Sequence, residues 1–434
     1  MKTYNECLET MKSVVAQNSQ EASSYLGDEW VDLENAVGRV LRQDVVATEA
    51  SPPFDNSAMD GFAVNFENLQ QLFQKHNSAQ PVTLKISQCV AAGDSASTSS
   101  LHDAAIEIMT GAPMPNSFYD TVIKIEDVQV IRDPSVISGK YAKALEIKIF
   151  QLPQKNENTR KAGEDFQVGQ KLLLKGTQLE LQHLLGLATL GIHHVLVAKN
   201  PVIAIASTGK ELVDYHTEKL EPGQIRNSTG MYLQSYFKNY HLDVQNLGII
   251  DDCMQSYQQT LLQAFDNGAE IFISTGAVSM GQFDFVKPAL LDLGATIHFH
   301  KAAIRPGKPI LFASLNYKQR VRFIFGVPGN PVSTAVGLKF FILPFIENLL
   351  DCRSSSNPSK KMWMELAQDV AKPEGLRCFF KASMLEDSGQ LKVQSLPGQA
   401  SFMVSPLLKT NAWVVLPEEN TMIPQGTKVE VYAL

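Results

Sequence analysis

The run Val202-Ile203-Ala204-Ile205-Ala206, closed by Ser207-Thr208-Gly209, decides the fold class. Five apolar residues without polar alternation suit a strand buried on both faces, and such strands belong to sheets covered by helices on both sides. Outward from it the pattern repeats: Val244 to Ile250, Ile271-Phe272-Ile273 and Phe323-Ile324-Phe325 are apolar strands separated by helical stretches near Met231 to Tyr240 and Ser256 to Phe265. This alternation, running from Leu179 to Leu350, predicts a three-layer α/β domain with a mostly parallel sheet. Loops leaving the carboxyl ends of such strands form the binding crevice. Here they read Ser207-Thr208-Gly209, Ser274-Thr275-Gly276 and Gly326-Val327-Pro328-Gly329-Asn330.

Upstream, Tyr4, Leu8, Met11 and Val15, then Leu33, Val37, Val40 and Leu41, fall at helical spacing around a polar stretch from Asn18 to Ser24, which predicts two amphipathic helices. Alternating apolar residues from Val82 to Phe150 predict an all-β insert, and Asn158 to Leu174 returns to the layer left near Ala47. Downstream, Arg353 to Lys361 reads as a linker; Arg377 to Met384, Leu391 to Leu396, Ala412 to Leu416 and Val429 to Tyr432 read as strands of a small β domain. The expected organisation is an N-terminal helix (1–27) packing on the α/β domain, a small α+β linking domain (28–48 and 157–177), a β-rich inserted domain (49–156), the α/β domain (178–352) and a C-terminal β-barrel-like domain (353–434).

A length of 434 residues fits several domains. With 38 Lys and Arg against 45 Asp and Glu the net charge is −7, a field that repels nucleic-acid phosphates, so an anionic ligand must be met by local cations. Cys7, Cys89, Cys253, Cys352 and Cys378 lie far apart, with neither disulfide nor zinc spacing. Glu6 and Glu9 interrupt any leader-like apolar run, and the most apolar stretch, Phe340 to Ile346, is short for a membrane span. The expectation is a cytoplasmic protein in a reducing compartment, with no nucleic-acid or membrane partner.

Three stretches carry the chemistry. In Ser274-Thr275-Gly276-Ala277-Val278-Ser279-Met280-Gly281-Gln282-Phe283-Asp284, small residues let backbone N–H groups approach an oxyanion; Ser274, Thr275 and Ser279 add donors, and Asp284 suits Mg²⁺ held against phosphates. A plain strand-to-helix turn uses similar residues. Lys301-Ala-Ala-Ile-Arg305-Pro306-Gly-Lys308-Pro309 places three cations on a loop stiffened by two prolines, fit for a multiply charged oxyanion or for a solvated basic turn. Phe325 to Ser333 ends a strand and opens a helix with Pro331 in its first turn, leaving amides for an anion or for a purely structural start. In the N-terminal half, Asp55, Asn56, Ser57 and Asp60 crowd one irregular loop, and Thr110, Asn158, Arg160 and Asp165 lie in turn-rich stretches where capping and ligand binding compete. No histidine pair has metal-ligand spacing, and no GxSxG elbow supports a hydrolase triad.

Taken together, DNSAMDG (55–61), MTGAP (109–113), GED (163–165), STGKEL (207–212), STGAVSMGQFD (274–284), IRPGKP (304–309) and GVPGNPVS (326–333) resemble the molybdopterin molybdenumtransferase family, which includes MoeA and the E domain of gephyrin. The seven motifs keep their order from about residue 5 to the C-terminus. The resemblance implies a MoaB/MogA-like α/β domain and an enzyme that takes adenylylated molybdopterin and molybdate, with Mg²⁺, and releases AMP. It implies catalytic roles for Asp60, Asp252, Asp284, Lys301, Arg305 and Lys308, with Asp252 and Asp284 at the metal. Ser207, Thr208, Gly209, Glu211, Ser274, Thr275, Gly276, Ser279, Gly329 and Asn330 would line the pterin crevice. Arg305, Pro306, Lys308, Ser333, Lys381 and Ser401 would receive molybdate. The family is dimeric, so Asp60, Thr110 and Asp165 are expected to face a partner subunit's site, and contacts with the molybdopterin adenylyltransferase and with apo-molybdoenzymes are implied as well. A gephyrin-like scaffold without catalysis, or a molybdopterin adenylyltransferase, are the alternatives; the first is disfavoured by Asp284 and Lys308, the second by the N-terminal motifs. The chain departs from the family at Lys210, where an acid is usual, at Ala277 (glycine), at Asn227-Ser228-Thr229 (D-S/T-N) and at Lys381 (arginine), the last keeping charge but losing the bidentate fork.

Overall fold

The computed structural model describes residues 1–18, 25–75, 80–95, 104–138, 141–277, 285–353, 361–387 and 389–434. They form two compact units: Met1–Gln43 with Lys175–Leu184 and His194–Leu434, and Asp44–Leu174 with Leu185–His193.

The larger unit contains a six-stranded sheet whose strands are β1 (Ile203–Thr208), β2 (Val244–Ile250), β3 (Ile271–Thr275), β4 (Thr296–His300), β5 (Leu311–Tyr317) and β6 (Arg320–Val327). Their order is β2-β1-β3-β6-β5-β4. The first four are mutually parallel, while β5 and β4 add antiparallel at one edge. Three layers follow from the period of two along β1. Ile203 and Ile205 join Ile271, Ile273, Phe323 and Phe325 on one face, under the helix Ser228–Asn239, the C-terminal helices of the domain and the N-terminal helix Tyr4–Asn18. Ala204 and Ala206 share the other face with Phe272 and Ile324, under Tyr257, Leu261 and Phe265 of the helix Met254–Asp266. The chain leaves β1 toward β2 and returns to β3 on β1's other side, so the strand order reverses between the carboxyl ends of β1 and β3.

Two expectations change. Among the described residues of the N-terminal stretch, only Tyr4–Asn18 is an α-helix. Around Leu33 the chain makes a single 3₁₀ turn, Gly38 adopts a left-handed φ of 80°, and Val40 and Leu41 bridge to Gln178 and Val197. Backbone pairing with distant segments there outweighs the helical spacing. The short apolar run near Phe340 belongs to one continuous helical stretch, Pro331–Leu349, which by length and composition alone would span a membrane but is 72% buried inside the protein. Pro344 lacks the N–H that an interior α-turn needs, and the preceding Leu338–Ile342 widens into a π-turn.

The C-terminal strands Arg377–Asp387, Gln390–Ser395, Lys361–Leu366, Lys428–Ala433 and Ala412–Leu416 pair in that order, and the last closes onto the first, making a β-barrel around Leu366, Phe380, Val393, Val414 and Val431. Ile304–Arg305 adds a short parallel strand to Arg377–Cys378, tying the cationic loop to the barrel.

In the smaller unit, a six-stranded sheet runs in the order Thr121–Lys124, Gly61–Val64, Ala104–Ile108, Val82–Val90, Tyr141–Ile149 and Val128–Ser138, with the helix Phe66–Lys75 packed through Leu69 and Phe73. A Cβ at Gly61 would fall 2.0 Å from the Ile123 carbonyl oxygen, so only glycine permits that pairing.

Candidate active site

The crevice begins where β1 and β3 end. Gly276, with φ of 94°, brings its Cα against β1; a Cβ there would lie 2.3 Å from the Thr208 oxygen. Its N–H donates to the Val327 oxygen at 3.0 Å, and Gly329 is near enough that its own Cβ would stand 3.6 Å from the Gly276 Cα. Three strand-end loops therefore meet on glycine. Ala277 adopts a φ of 46°, a conformation that costs an L-residue free energy. Ser279 and Asp284 lie outside the described residues.

Behind the crevice the hydroxyls engage one another. Thr275 Oγ1 donates to Ser207 Oγ at 3.1 Å, Ser207 donates to Asn227 Oδ1 at 3.2 Å, and Thr229 adds bonds to Thr275 Oγ1 and Asn227 Oδ1. Thr208 donates to the Thr275 carbonyl, and Ser274 pairs with the fully buried Tyr257 hydroxyl at 3.2 Å. These side chains fix the loop ends from within, leaving backbone groups to line the opening. At the mouth, Gly209 takes a φ of 143° and a Cβ on it would meet the Glu211 carboxylate at 2.7 Å. Burial, with the charge of Glu211, raises the Asp252 carboxyl above its ordinary range, and Lys210 partly offsets the effect. The Glu211 carboxylate thus opposes the ionisation of Asp252 beside one cation, a donor set that suits a divalent metal. No group of three or more His, Cys, Asp or Glu side chains arranged for a metal occurs among the described residues.

The cationic loop is closed by backbone bonds from Lys301 N–H to Ile310, Ala302 N–H to Lys308 and Ile310 N–H to Gly307. Pro306 and Gly307 are buried, while Arg305 and Lys308 are exposed and their side chains form no hydrogen bond or ion pair among the described residues. Lys301 is half-buried with a φ of 86°. Gly307 sits against the start of the helix Pro331–Gly337; a Cβ there would lie 3.6 Å from the Ser333 carbonyl oxygen. Ser333 is 3% exposed, and Thr334 anchors the same turn by donating to the Pro328 carbonyl at 2.8 Å. Gly329 and Asn330 are exposed.

Ser401 and Lys381 reach this wall from the barrel side. Val332 N–H donates to the Ser401 carbonyl at 3.2 Å. Lys381 is fully buried, its Nζ donating to the Met403 and Ala400 carbonyls at 2.9 and 3.4 Å, and desolvation lowers its pKa from the ordinary lysine value. It is placed to hold the 400–403 turn. Arg377 pairs with Glu418 at 3.2 Å and covers the Tyr4 ring.

In the smaller unit, Asp60 Oδ1 accepts from the Thr110 N–H at 2.7 Å and hydroxyl at 2.8 Å; these bonds, the N–H first, hold its carboxyl below the ordinary range. Ser57 exchanges backbone bonds with Gly111 and Ala112, Asp55 binds Lys161 and the Ala162 N–H, and Asp165 N–H donates to Ser51. The motifs at 55–61, 109–113 and 163–165 are thus knit into one surface, on which Asp60, Thr110 and Asp165 are exposed. Nothing in the sequence points to Tyr257, and Asn227 and Thr229 stand out there only as departures from the family pattern. The signal for Asn227 was available, since an asparagine directly before an amphipathic stretch marks a helix cap.

The MoeA N-terminal region (domain I and II) matches residues 3–191, a probable molybdopterin binding domain matches 204–348, and the MoeA C-terminal region (domain IV) matches 364–434. Molybdopterin molybdenumtransferase of Synechococcus elongatus is 34% identical over 100% of this chain and 99% of its own length, and that of Haemophilus influenzae 31% over 93% of each. Gephyrin of Dictyostelium discoideum is 28% identical over 93% of this chain and 59% of its own length. The crystal structure of a molybdopterin biosynthesis moeA protein from Pyrococcus horikoshii superposes with a TM-score of 0.78 at 25% identity, covering 100% of both chains.

Proposed function

Because this chain belongs to the MoeA family of molybdopterin molybdenumtransferases, enzymes of molybdenum cofactor biosynthesis, we propose that it transfers molybdenum from molybdate to adenylylated molybdopterin and releases AMP with the help of Mg²⁺. One observation carries this reading: the Arg305 and Lys308 side chains stand exposed, without an ion pair among the described residues, on a loop braced against the buried Ser333, within an otherwise acidic molecule. Free cations on a stiff loop bind a tetrahedral oxyanion without first breaking ion pairs and with little loss of entropy.

In this reading Arg305 and Lys308 hold molybdate, Lys301 and the Ser333 hydroxyl complete its shell, and Pro306 fixes the loop that presents them. Lys381 serves the same wall by holding the turn that carries Ser401. Backbone groups of Gly276, Gly329 and Asn330 approach the pterin phosphates, and Gly209 and Glu211 border them at the mouth. Asp252 and Glu211, with Asp284, would hold Mg²⁺, which when bound neutralises charge on the phosphates. Asp60, Thr110 and Asp165 are offered to a partner subunit in a cytoplasmic homodimer.

Incubating the protein with adenylylated molybdopterin and Mg²⁺, with and without molybdate, tests this directly. AMP and a molybdenum-bearing pterin should form together when molybdate is present. A bound pterin that never acquires metal would overturn the reading.

A further inference from the structure

Beneath the helix Met254–Asp266, Ala204, Ala206, Leu261, Ala264 and Phe272 make an apolar layer, and a pair of hydroxyls is sunk in it. Side chains alternate along β3, so Ser274 falls on the face of Phe272 and of its β1 partner Ala206, away from the bonded hydroxyls of Ser207 and Thr275. There it meets the fully buried Tyr257, 3.2 Å between oxygens. Burial raises the Tyr257 pKa, so the phenol keeps its proton. Its ring stands edge-on to Phe272 at 5.7 Å and to Phe285 at 5.9 Å, and thus touches both β3 and the residue that opens the helix Val286–Asp292. Tyr257 also lies in the first turn of its own helix, its N–H donating to the Cys253 carbonyl at 3.1 Å, directly after Asp252.

Stability does not account for the pair. A bond between two buried hydroxyls replaces bonds that each made to water, and phenylalanine with alanine in the same space is nearly as stable. What the hydroxyls add is direction, which apolar packing lacks. They hold the first turn of the helix, and with it Asp252, in register with the carboxyl end of β3, where Gly276 follows.

We propose that Tyr257 is a positioning residue, whose bond to Ser274 sets the Asp252 carboxyl in place relative to the Thr275–Gly276 backbone. The proposal rests on the reading that this crevice takes the phosphates of adenylylated molybdopterin, and deepens it: Ser274 serves the site from behind, through Tyr257, rather than by touching the ligand.

Tyr257→Phe, Ser274→Ala and the double variant separate packing from placement. Each single change strands one buried hydroxyl and should lower Tm; the double change removes both and should bring Tm back to within about 2 °C of native. Steady-state kinetics of that double variant should nevertheless show a KM for adenylylated molybdopterin raised at least about fivefold, with the KM for molybdate within about twofold of native. A smaller rise in the pterin KM, or equal rises in both, would overturn the proposal. A Tm that stays low in the double variant would make the pair a packing contact and overturn it as well. A further measurement needs no substrate: in Tyr257→Phe, hydrogen exchange should quicken at Gly276 and at the amide of residue 257 while Leu261 to Phe265 stay protected, and native exchange at Gly276 would contradict the coupling. Should the native chain neither bind nor convert adenylylated molybdopterin, the functional reading fails and the proposal with it, whereas native turnover with an indifferent double variant removes the proposal alone.

Discussion

Neighbouring residues at the end of β3 have opposite tolerance for a side chain. Gly276 and Ala277 both take positive φ, but only at Gly276 would a Cβ collide with backbone, 2.3 Å from the Thr208 oxygen. Gly276→Ala should cost more than about 2 kcal/mol in chemical denaturation, whereas Ala277→Gly should leave stability unchanged or raise it by up to about 1 kcal/mol; equal losses at both would contradict the geometry. On the cationic loop, Arg305→Ala should raise the KM for molybdate at least about tenfold and change pterin affinity much less. Parallel losses in steady-state kinetics and pterin titration would remove Arg305 from molybdate binding. For Asp60 the pH dependence has a definite sign. A carboxyl whose folded pKa is depressed contributes stability above its unfolded pKa, and that contribution is lost as pH falls through the folded value. Thr110→Val removes the hydroxyl but keeps the stronger N–H bond. Carboxyl NMR titration should then show the Asp60 pKa moving up while remaining below the ordinary aspartate range, so this contribution becomes smaller and is fully lost by a higher pH.

The barrel strand Arg377–Asp387 reaches the site through Lys381. Its ammonium holds the Ala400 and Met403 carbonyls, and the intervening Ser401 carbonyl accepts the Val332 N–H at the start of the helix that carries Ser333. Lys381→Met keeps the length of the side chain but leaves two carbonyls without their donor. Hydrogen exchange should quicken at Val332 and across 400–403 while the barrel amides of 412–416 stay protected; unchanged exchange at Val332 would show that the lysine has no bearing on the helix start. Because burial lowers the Lys381 pKa, the unfolded chain binds more protons just below the ordinary lysine range, so native stability there rises with pH, and Lys381→Met should remove that slope. Elements of this kind mark what the sequence makes legible. Ile203 to Ala206, Ile271 to Ile273 and Phe323 to Phe325 announce themselves because burial on both faces leaves an uninterrupted apolar run. Leu33 to Leu41 misleads because its partners, Gln178 and Val197, are far away in the chain. The crevice loops were legible through their glycines and their positions after strands. The inward pairing of Ser207, Ser274 and Thr275 was not, since a hydroxyl's partner depends on packing against residues such as Tyr257 and Asn227 that no local pattern connects.

At the scale of the whole molecule, the residues proposed for the chemistry fall in different units of the chain, Arg305 in the larger and Asp60 in the smaller. Each lies on an exposed surface of its own unit. If a homodimer builds each site from the larger unit of one subunit and the smaller unit of the other, the two positions must complement between chains. Asp60→Asn and Arg305→Ala proteins, each inactive alone, would on mixing and exchange of subunits form heterodimers in which one site carries both lesions and the other carries neither. Random exchange at equal amounts makes half the dimers mixed, so AMP release should recover to about a quarter of the native rate. Sites contained within one chain would give no recovery, because every site would keep one lesion.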